Sequence, residues 1–401
     1  MRQDYTELDT CLCCENPNLR TVLDLGFQPL ANNSIKSARE FEKFYPLMLN
    51  FCNECTHLQL KYAVDPDLMF RNYLYETGSG TTISNYLHWF VGFTTGIIGE
   101  EDNKKVLDIA CNDGTLLDIY KEYGYQTYGV DPSLNLYKET SKRHNVECDY
   151  LNWDYANAHE DMFDFVVAQN VMAHNSYPLE FLQMCHRMVT KRGIVLIQNS
   201  QANMIEHGEF DTIYHEHVSY YSIKSFRALA DLANLTAFHI QRVPIHGGSN
   251  LYVLSKSAWI NDTFHRDEYR IDDESVDEFA DKARNTITWF RQEVIKLREE
   301  GFKVIGYGAA AKGNTVLNTS NIALDYIVDD TPAKQGLFTP GQHIPIVSSS
   351  FLTHESGQLA VVILPWNFYD EIVDKVYDQT LNVKELMFIR LFPEIEVRYA
   401  R

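Results

Sequence analysis

From about residue 100 the chain alternates short apolar runs with stretches whose apolar residues recur every three to four positions. The runs read as buried strands and the 3.6-residue period as amphipathic helices. Strands are therefore predicted at Lys104–Ile109, Gln126–Val130, Phe163–Gln169 and Gly193–Gln198, with helices at Thr115–Tyr123 and Leu179–Val189 among them. Strand, loop and helix repeating in that order predict an α/β fold with a doubly wound parallel sheet. Ser222–Ala233 follows as an amphipathic helix with Ser222 as N-cap, and Asn250–Leu254 as a closing strand.

The polar, acidic run Ile260–Ser275 marks a boundary. Val276–Glu300 then reads as one long helix, with Val276, Phe279, Ala283, Ile287, Phe290, Val294 and Leu297 as its apolar positions. After Gly301 a second α/β pattern begins, with strands at Val304–Tyr307, Tyr326–Val328 and Ala360–Leu364. At the other end, residues 1 to about 70 show few long helical patterns and hold two cysteine pairs. A chain of 401 residues exceeds one ordinary core, so two or three domains are expected.

The formal net charge of −20 argues against nucleic acid as a partner, because such a surface repels phosphate backbones. It leaves room for a small anionic substrate, which needs only a few local cations or backbone N–H groups. Residues 1–10 are polar and acidic and show no secretory pattern. The most apolar stretch, Trp89–Gly99, is too short to span a bilayer. A cytoplasmic protein with no membrane partner is expected, and the cysteine usage suits it.

Cys11 and Cys14 form one CxxC, and Cys52 and Cys55 a second. Each such turn aims two thiolates at one point, and two turns complete a tetrahedral Zn²⁺ shell. Four thiolates leave no open position, so the metal is expected to be structural and to supply folding energy to a segment with little core of its own. Cys13 is an extra thiol beside that set.

The run Val106-Leu107-Asp108-Ile109-Ala110-Cys111-Asn112-Asp113-Gly114 joins the first strand to a helix, and Asp131 ends the next strand. A small-residue turn there lets N–H groups approach a ligand, and the acid at the second strand end suits ribose hydroxyls. GxGxxG is missing, and Asp108 suits an ammonium better than a pyrophosphate; both points favour S-adenosylmethionine over NAD. Asn152-Trp153 follows the third strand region, where an adenine can stack on the indole or the ring can simply pack in the core. Ala110 and Asn112 stand where methyltransferase loops commonly carry glycine. A second loop, Gly306-Tyr307-Gly308-Ala309-Ala310-Ala311-Lys312-Gly313-Asn314-Thr315, fits GxGxxA, with Asp329 and Asp330 about 20 residues on. By itself it is open to three readings: a nicotinamide site, a phosphate grip or a packing turn.

Asp211-Thr212-Ile213-Tyr214-His215-Glu216-His217 lies beyond the strand Gly193–Gln198, where parallel sheets bind substrates. The HExxH spacing of a zinc protease is absent, so a general base oriented by a neighbouring acid is the more natural chemistry, with Tyr as a donor to an oxyanion. A polar network with surface histidines is the plain alternative. His174 ends another strand at the same cleft, while Tyr73 and Tyr75 either reach it or pack on the domain seam.

The order CxxC…CxxC, NDGTLL, DTIYHEH, Ile245-His246-Gly247-Gly248-Ser249, GYGAAAKGNT, PGQHIPI and Trp366-Asn367 resembles the sugar-nucleotide C-methyltransferases over nearly the whole chain. The resemblance implies a zinc-binding domain (1–72), a Rossmann-like methyltransferase core (73–260) and a C-terminal Rossmann-like domain without nicotinamide (261–401). It implies methylation at C3 of a nucleotide-linked 4-keto-6-deoxysugar. His217 then matches the base, Glu216 its partner and Tyr214 a donor near the sugar, with Tyr75 and His174 at further pocket positions. Tyr73, His246, Lys312 and Asn314 are expected on the substrate. Asp108, Ala110, Asn112, Asp113, Gly114, Asp131, Asn152 and Trp153 are expected on the cofactor. A monomer is expected. An O- or N-methyltransferase on a sugar nucleotide, and an NAD-dependent oxidoreductase, are the competing functions.

Overall fold

Val106, Phe165, Val167, Ile194 and Leu196 point to one side of a sheet, while Leu107, Ile109, Val166, Ala168, Val195 and Ile197 point to the other. Both sides are apolar because helices cover both. In this computed structural model, which describes residues 4–71, 81–98, 104–200, 204–256 and 271–400, those strands form the middle of a seven-stranded sheet. Its order is Thr236–Val243, Ser249–Ser255, Val189–Ser200, Phe163–Gln169, Lys105–Ile109, Gln126–Val130 and Asn145–Glu147. The last five are parallel, and an antiparallel hairpin closes the other edge. Helices Thr81–Ile98 and Thr115–Glu122 cover one face, and Pro178–Met188 and Ile223–Leu232 the other. The Ser222 hydroxyl caps the last of these by accepting from the Ser225 N–H at 2.9 Å. The order in which successive strands are laid down reverses at Lys105–Ile109, so its carboxyl end lies at the switch point where such sheets bind ligands.

The C-terminal sheet has the order Ile346–Val347, Ile327–Val328, Lys303–Tyr307, Gly357–Ile363, Val383–Arg390 and Glu396–Tyr399, all parallel except the last. The helix Asp273–Glu299 leads into it, started by a capping box between Asp272 and Ser275. That helix buries Val276, Phe279, Ala283, Phe290, Val294 and Leu297; Ile287 is only partly covered.

The N-terminal lobe is a four-stranded antiparallel sheet, and one of its strands comes from far along the chain. Arg20–Gln28, Tyr45–Cys52 and His57–Leu60 are joined by Ser219–Tyr220, which pairs with Leu58 and Gln59. Val22, Leu23, Leu25, Leu47 and Leu49 share one core with Phe279, Phe290, Val304 and Val362, so this lobe packs on the C-terminal sheet. A bridge between Ile35 and Phe338 ties the same pair together. Among the described residues no helix is long and apolar enough to cross a membrane. Tyr73, Tyr75 and the acidic run up to residue 270 lie outside the described residues.

Candidate active site

Two matching turns build the metal position. The N–H of Glu15 bonds the Cys11 carbonyl and the N–H of Thr56 bonds the Cys52 carbonyl, each at 2.8 Å. Glu15 and Thr56 both adopt left-handed backbone to make the turn. The sulfurs of Cys11, Cys14, Cys52 and Cys55 lie within 4.8 Å of one another, with Cys11–Cys55 at 3.5 Å and Cys14–Cys52 at 3.6 Å. Zinc–thiolate bonds of about 2.3 Å require sulfurs about 3.8 Å apart, so the four fit a tetrahedral Zn²⁺. Cys13 is buried in the apolar core and stands outside the set.

At the switch point the loop turns through three left-handed residues, Ala110, Asn112 and Gly114. At Gly114 a Cβ would meet the Thr140 methyl at 2.7 Å, so a side chain is excluded. The turn aims the Asn112 N–H at Asp131 (2.8 Å), whose other oxygen accepts from Ser133 (2.8 Å). Asp113 accepts from the Thr115 N–H and hydroxyl at 3.0 and 2.7 Å, anchoring the next helix. Asp108 is buried beneath, and burial with Asp131 and Asp113 nearby pushes its carboxyl well above the usual range. Three carboxylates around one turn call for a cationic ligand, and the ammonium and sulfonium of S-adenosylmethionine meet that need.

Asn152 and Trp153, expected on the adenine, both make contacts within the protein, and Trp153 is partly exposed rather than packed in the core. The Asn152 side chain accepts from the Tyr155 N–H as a helix N-cap. That cap turns Trp153 onto helix Pro178–Met188, where its indole N–H donates to Glu180 at 2.6 Å and its ring borders an outer cavity with Gln183, His186 and Arg187.

The segment 211–217, buried except for the half-buried Tyr214, lies at the carboxyl edge of the central sheet. The His217 Nδ1 is 2.9 Å from the Thr212 carbonyl, which can only accept, so Nδ1 carries the proton and Nε2 the lone pair. The Tyr214 hydroxyl meets that lone pair at 2.9 Å. Burial holds His217 well below the ordinary imidazole range, helped by the neighbouring His174, so it is neutral and able to accept a proton. The expected Glu216–His217 pairing is replaced by this carbonyl. Consecutive residues of the turn diverge, and the Glu216 carboxylate instead accepts from Asn32 of the N-terminal lobe at 2.6 Å. The Glu216 carbonyl accepts from His174 Nδ1 at 2.5 Å, and the two imidazole rings lie 5.0 Å apart. Burial lowers His174 to about 4, so it too is neutral.

The C-terminal domain closes the other side. Lys312 lies over the Trp366 ring at 4.8 Å from its centroid, and the Trp366 indole N–H donates to Asp211 at 2.8 Å. The turn bearing His246 packs on the same ring: a Cβ on Gly247 would sit 2.8 Å from it. Asn314 is displaced from its expected substrate role into the lobe seam, where its buried amide donates to the Ala31 carbonyl at 2.7 Å. A Cβ at Gly308 would lie 2.5 Å from Pro365, and one at Gly313 2.8 Å from Leu364, so these glycines serve close packing. Asn32, Thr212, Asp211 and Trp366 carry contacts here without having been assigned roles from sequence. Asp211, Thr212 and Trp366 stand in the motifs quoted above, while Asn32 stands in none.

Three family models match the chain: a zinc binding domain over residues 11–70, a methyltransferase domain over 93–240 and a C-methyltransferase C-terminal domain over 244–393. The chain is 25% identical over 396 residues to the C-methyltransferase NovU of Streptomyces niveus, with 93% of each chain covered. Among solved structures it is similar to the 1,6-didemethyltoxoflavin-N1-methyltransferase of Burkholderia thailandensis, at 16% identity over 44% of this chain and 80% of that one, with a TM-score of 0.34. It is likewise similar to the PH0226 protein of Pyrococcus horikoshii OT3, at 16% identity over 48% of this chain and 97% of that one, with a TM-score of 0.36.

Proposed function

Since the chain belongs to the S-adenosylmethionine-dependent C-methyltransferases that carry a structural zinc lobe, we propose that its acceptor is a nucleotide-linked 4-keto-6-deoxysugar, methylated at C3. The observation that carries this reading is the neutral His217, its Nδ1 fixed on the Thr212 carbonyl and its Nε2 facing Tyr214. Carbon beside a carbonyl is a poor nucleophile until a proton leaves, and a buried neutral imidazole is suited to take it. Hydroxyl or amine acceptors already have a lone pair and need no such base.

Asp108, the Ala110–Gly114 turn and Asp131 hold the cofactor, which supplies an electrophilic methyl on a sulfonium. His217 accepts the C3 proton at Nε2. In the free site the Tyr214 hydroxyl donates its one proton to that nitrogen; with the sugar bound it turns that proton toward the substrate, which leaves Nε2 open to the C3 hydrogen. His174, uncharged and fixed on the Glu216 carbonyl, puts no positive charge beside the base, and Glu216 secures the turn. His246 and Lys312 face the substrate from the C-terminal side. Residues 1–72, 73–260 and 261–401 act as zinc lobe, transfer core and sugar-nucleotide domain, and one chain carries the whole set, as a monomer requires.

The test is incubation with S-adenosylmethionine and a thymidine diphospho-4-keto-6-deoxyhexose, with NMR of the product. A new methyl on C3, and deuterium entering C3 from solvent with S-adenosylhomocysteine in place of the donor, are expected. A methyl on oxygen or nitrogen without deuterium entry sinks the carbon chemistry. Binding of NADH in preference to S-adenosylhomocysteine sinks the methyl-transfer reading of this site.

A further inference from the structure

Lys312 occupies an unusual position for a lysine. Its ammonium rests on an indole face rather than on a carboxylate, and among the described residues it forms no ion pair. Cation–π contact leaves its N–H donors available. It stands in the first turn of helix Ala311–Ser320, whose N-terminal end adds further positive potential. The platform is built with care. The indole N–H of Trp366 is fixed on Asp211, the residue that opens the 211–217 segment, and Gly247 packs against the ring's far end. Asp211 is fully buried, and its second oxygen has no hydrogen-bond partner.

The charge of Lys312 reaches both sides of this chamber. It opposes protonation of His217 and His246 and favours the charged form of Asp211. Through Trp366 the ammonium is tied to Asp211, the first residue of the segment that carries His217, so it stands at the reacting end of the pocket. In a 3-proton, 4-keto arrangement the departing proton and the carbonyl oxygen sit on neighbouring carbons, so the groups that receive them must be close together. The diphosphate hangs from C1, farther along the sugar.

We propose, resting on the keto-sugar reading above, that Lys312 is a catalytic residue whose ammonium, set on the Trp366 ring that Asp211 fixes, receives the enolate oxygen. The balance is simple. The C3 proton passes to Nε2 of His217, the C–H electron pair becomes the C3–C4 double bond, and the carbonyl π pair moves onto the oxygen facing Lys312. No oxidant or reductant enters. Trp366 and Asp211 are positioning residues for that ammonium.

The experiment follows deuterium entry at C3 of thymidine diphospho-4-keto-6-deoxyglucose in D₂O, with zinc-loaded protein saturated with S-adenosylhomocysteine. Lys312→Met is expected to bind S-adenosylhomocysteine normally and to keep KM for the probe within about fivefold. Its exchange at saturation is expected to fall by about 10²-fold or more, as when an oxyanion donor is removed. Lys312→Arg should recover part of that rate. If exchange at saturation is unchanged in Lys312→Met while KM rises tenfold or more, the ammonium serves the diphosphate and the proposal is overturned. If Lys312→Met loses S-adenosylhomocysteine binding, Trp366→Phe decides. It must slow saturated exchange at least about tenfold, and an unchanged rate overturns the proposal. Absence of exchange in the unaltered protein overturns the keto-sugar reading itself, an outcome distinct from failure at Lys312 alone.

Discussion

The Asn32 amide reaches across from the N-terminal lobe to the Glu216 carboxylate at 2.6 Å. It is one of several such ties. The Leu60 N–H bonds the Val218 carbonyl at 2.8 Å, the hydroxyls of Thr56 and Ser222 meet at 2.7 Å, and His215 Nε2 donates to the Tyr45 carbonyl at 3.3 Å. The cysteine-bound lobe is therefore the frame on which the segment bearing Tyr214 and His217 is stretched.

Zinc removal should disable transfer while sparing the cofactor site. Cys52→Ser, or a strong chelator, is expected to lower methyl transfer by about 10²-fold or more, because misplacing a reacting group by about 1 Å has that effect. Affinity for S-adenosylhomocysteine should change by less than about threefold, since Asp108 and Asp131 lie on the other sheet. Calorimetry beside activity assays checks this, and equal loss of both would refute it.

Replacing His217 with Asn should lower C3 exchange by roughly 10²–10⁴-fold with little effect on cofactor binding. Tyr214→Phe leaves Nε2 without its 2.9 Å partner and is expected to slow exchange less, by about 10–100-fold. Burial holds His217 well below 6.5, so the rate should show no acid limb near that pH. A limb with an apparent pKa of 6–7 that vanishes in His217→Asn would show that the imidazole is not desolvated as described.

Binding of S-adenosylmethionine should release protons. Asp108 is held above the carboxylate range by burial and by Asp131 and Asp113, and a bound cation would bring it down. Affinity is then expected to rise with pH until the free-protein value is passed. Asp108→Asn should bind about 10–100-fold more weakly, without that pH dependence. Calorimetry in buffers of differing ionisation heat measures the proton count directly.

Asp211 sets up a trade between stability and function. Its carboxyl is raised to about 6, chiefly by burial. A raised carboxyl binds its proton more tightly in the folded state, so its stabilising contribution is complete below about pH 4 and is lost as pH rises through about 6. Asp211→Asn, which still accepts from Trp366, should therefore gain stability relative to the parent between pH 4 and 6, by about 2–3 kcal/mol at most. Urea unfolding at pH 5 and 7.5 would detect it; a variant whose advantage shrinks toward pH 7.5 contradicts the assignment.

Local signals were legible and distant ones were not. Ser222 could be recognised as a cap because its partner, Ser225, is three residues away. The apolar runs ending at Ile109, Val130 and Gln169 announced buried strands, and their ends located the cofactor turn. The two CxxC pairs announced their own convergence. By contrast, Ser219–Tyr220 is too short to show a period, and its partner strand is His57–Leu60. Asn32 carries no motif, so its contact with Glu216 follows only from the packed lobes. Trp153 was open to two roles, and core packing is not the one it takes: its ring is partly exposed and its indole N–H donates to Glu180. Ala110 illustrates a local departure with a definite physical meaning: its φ of 58° lies where glycine is favoured, so the loop accepts strain there.

The pairing of Ser219–Tyr220 with His57–Leu60 bears on how the molecule is made and divided. A fragment cut near residue 70 would expose the backbone of His57–Leu60 as an open edge, ready to recruit strands from other molecules. During synthesis that edge waits until more than two hundred residues have left the ribosome. The cysteine-rich beginning is thus not a detachable module, and attempts to graft it elsewhere should carry the 219–220 segment along.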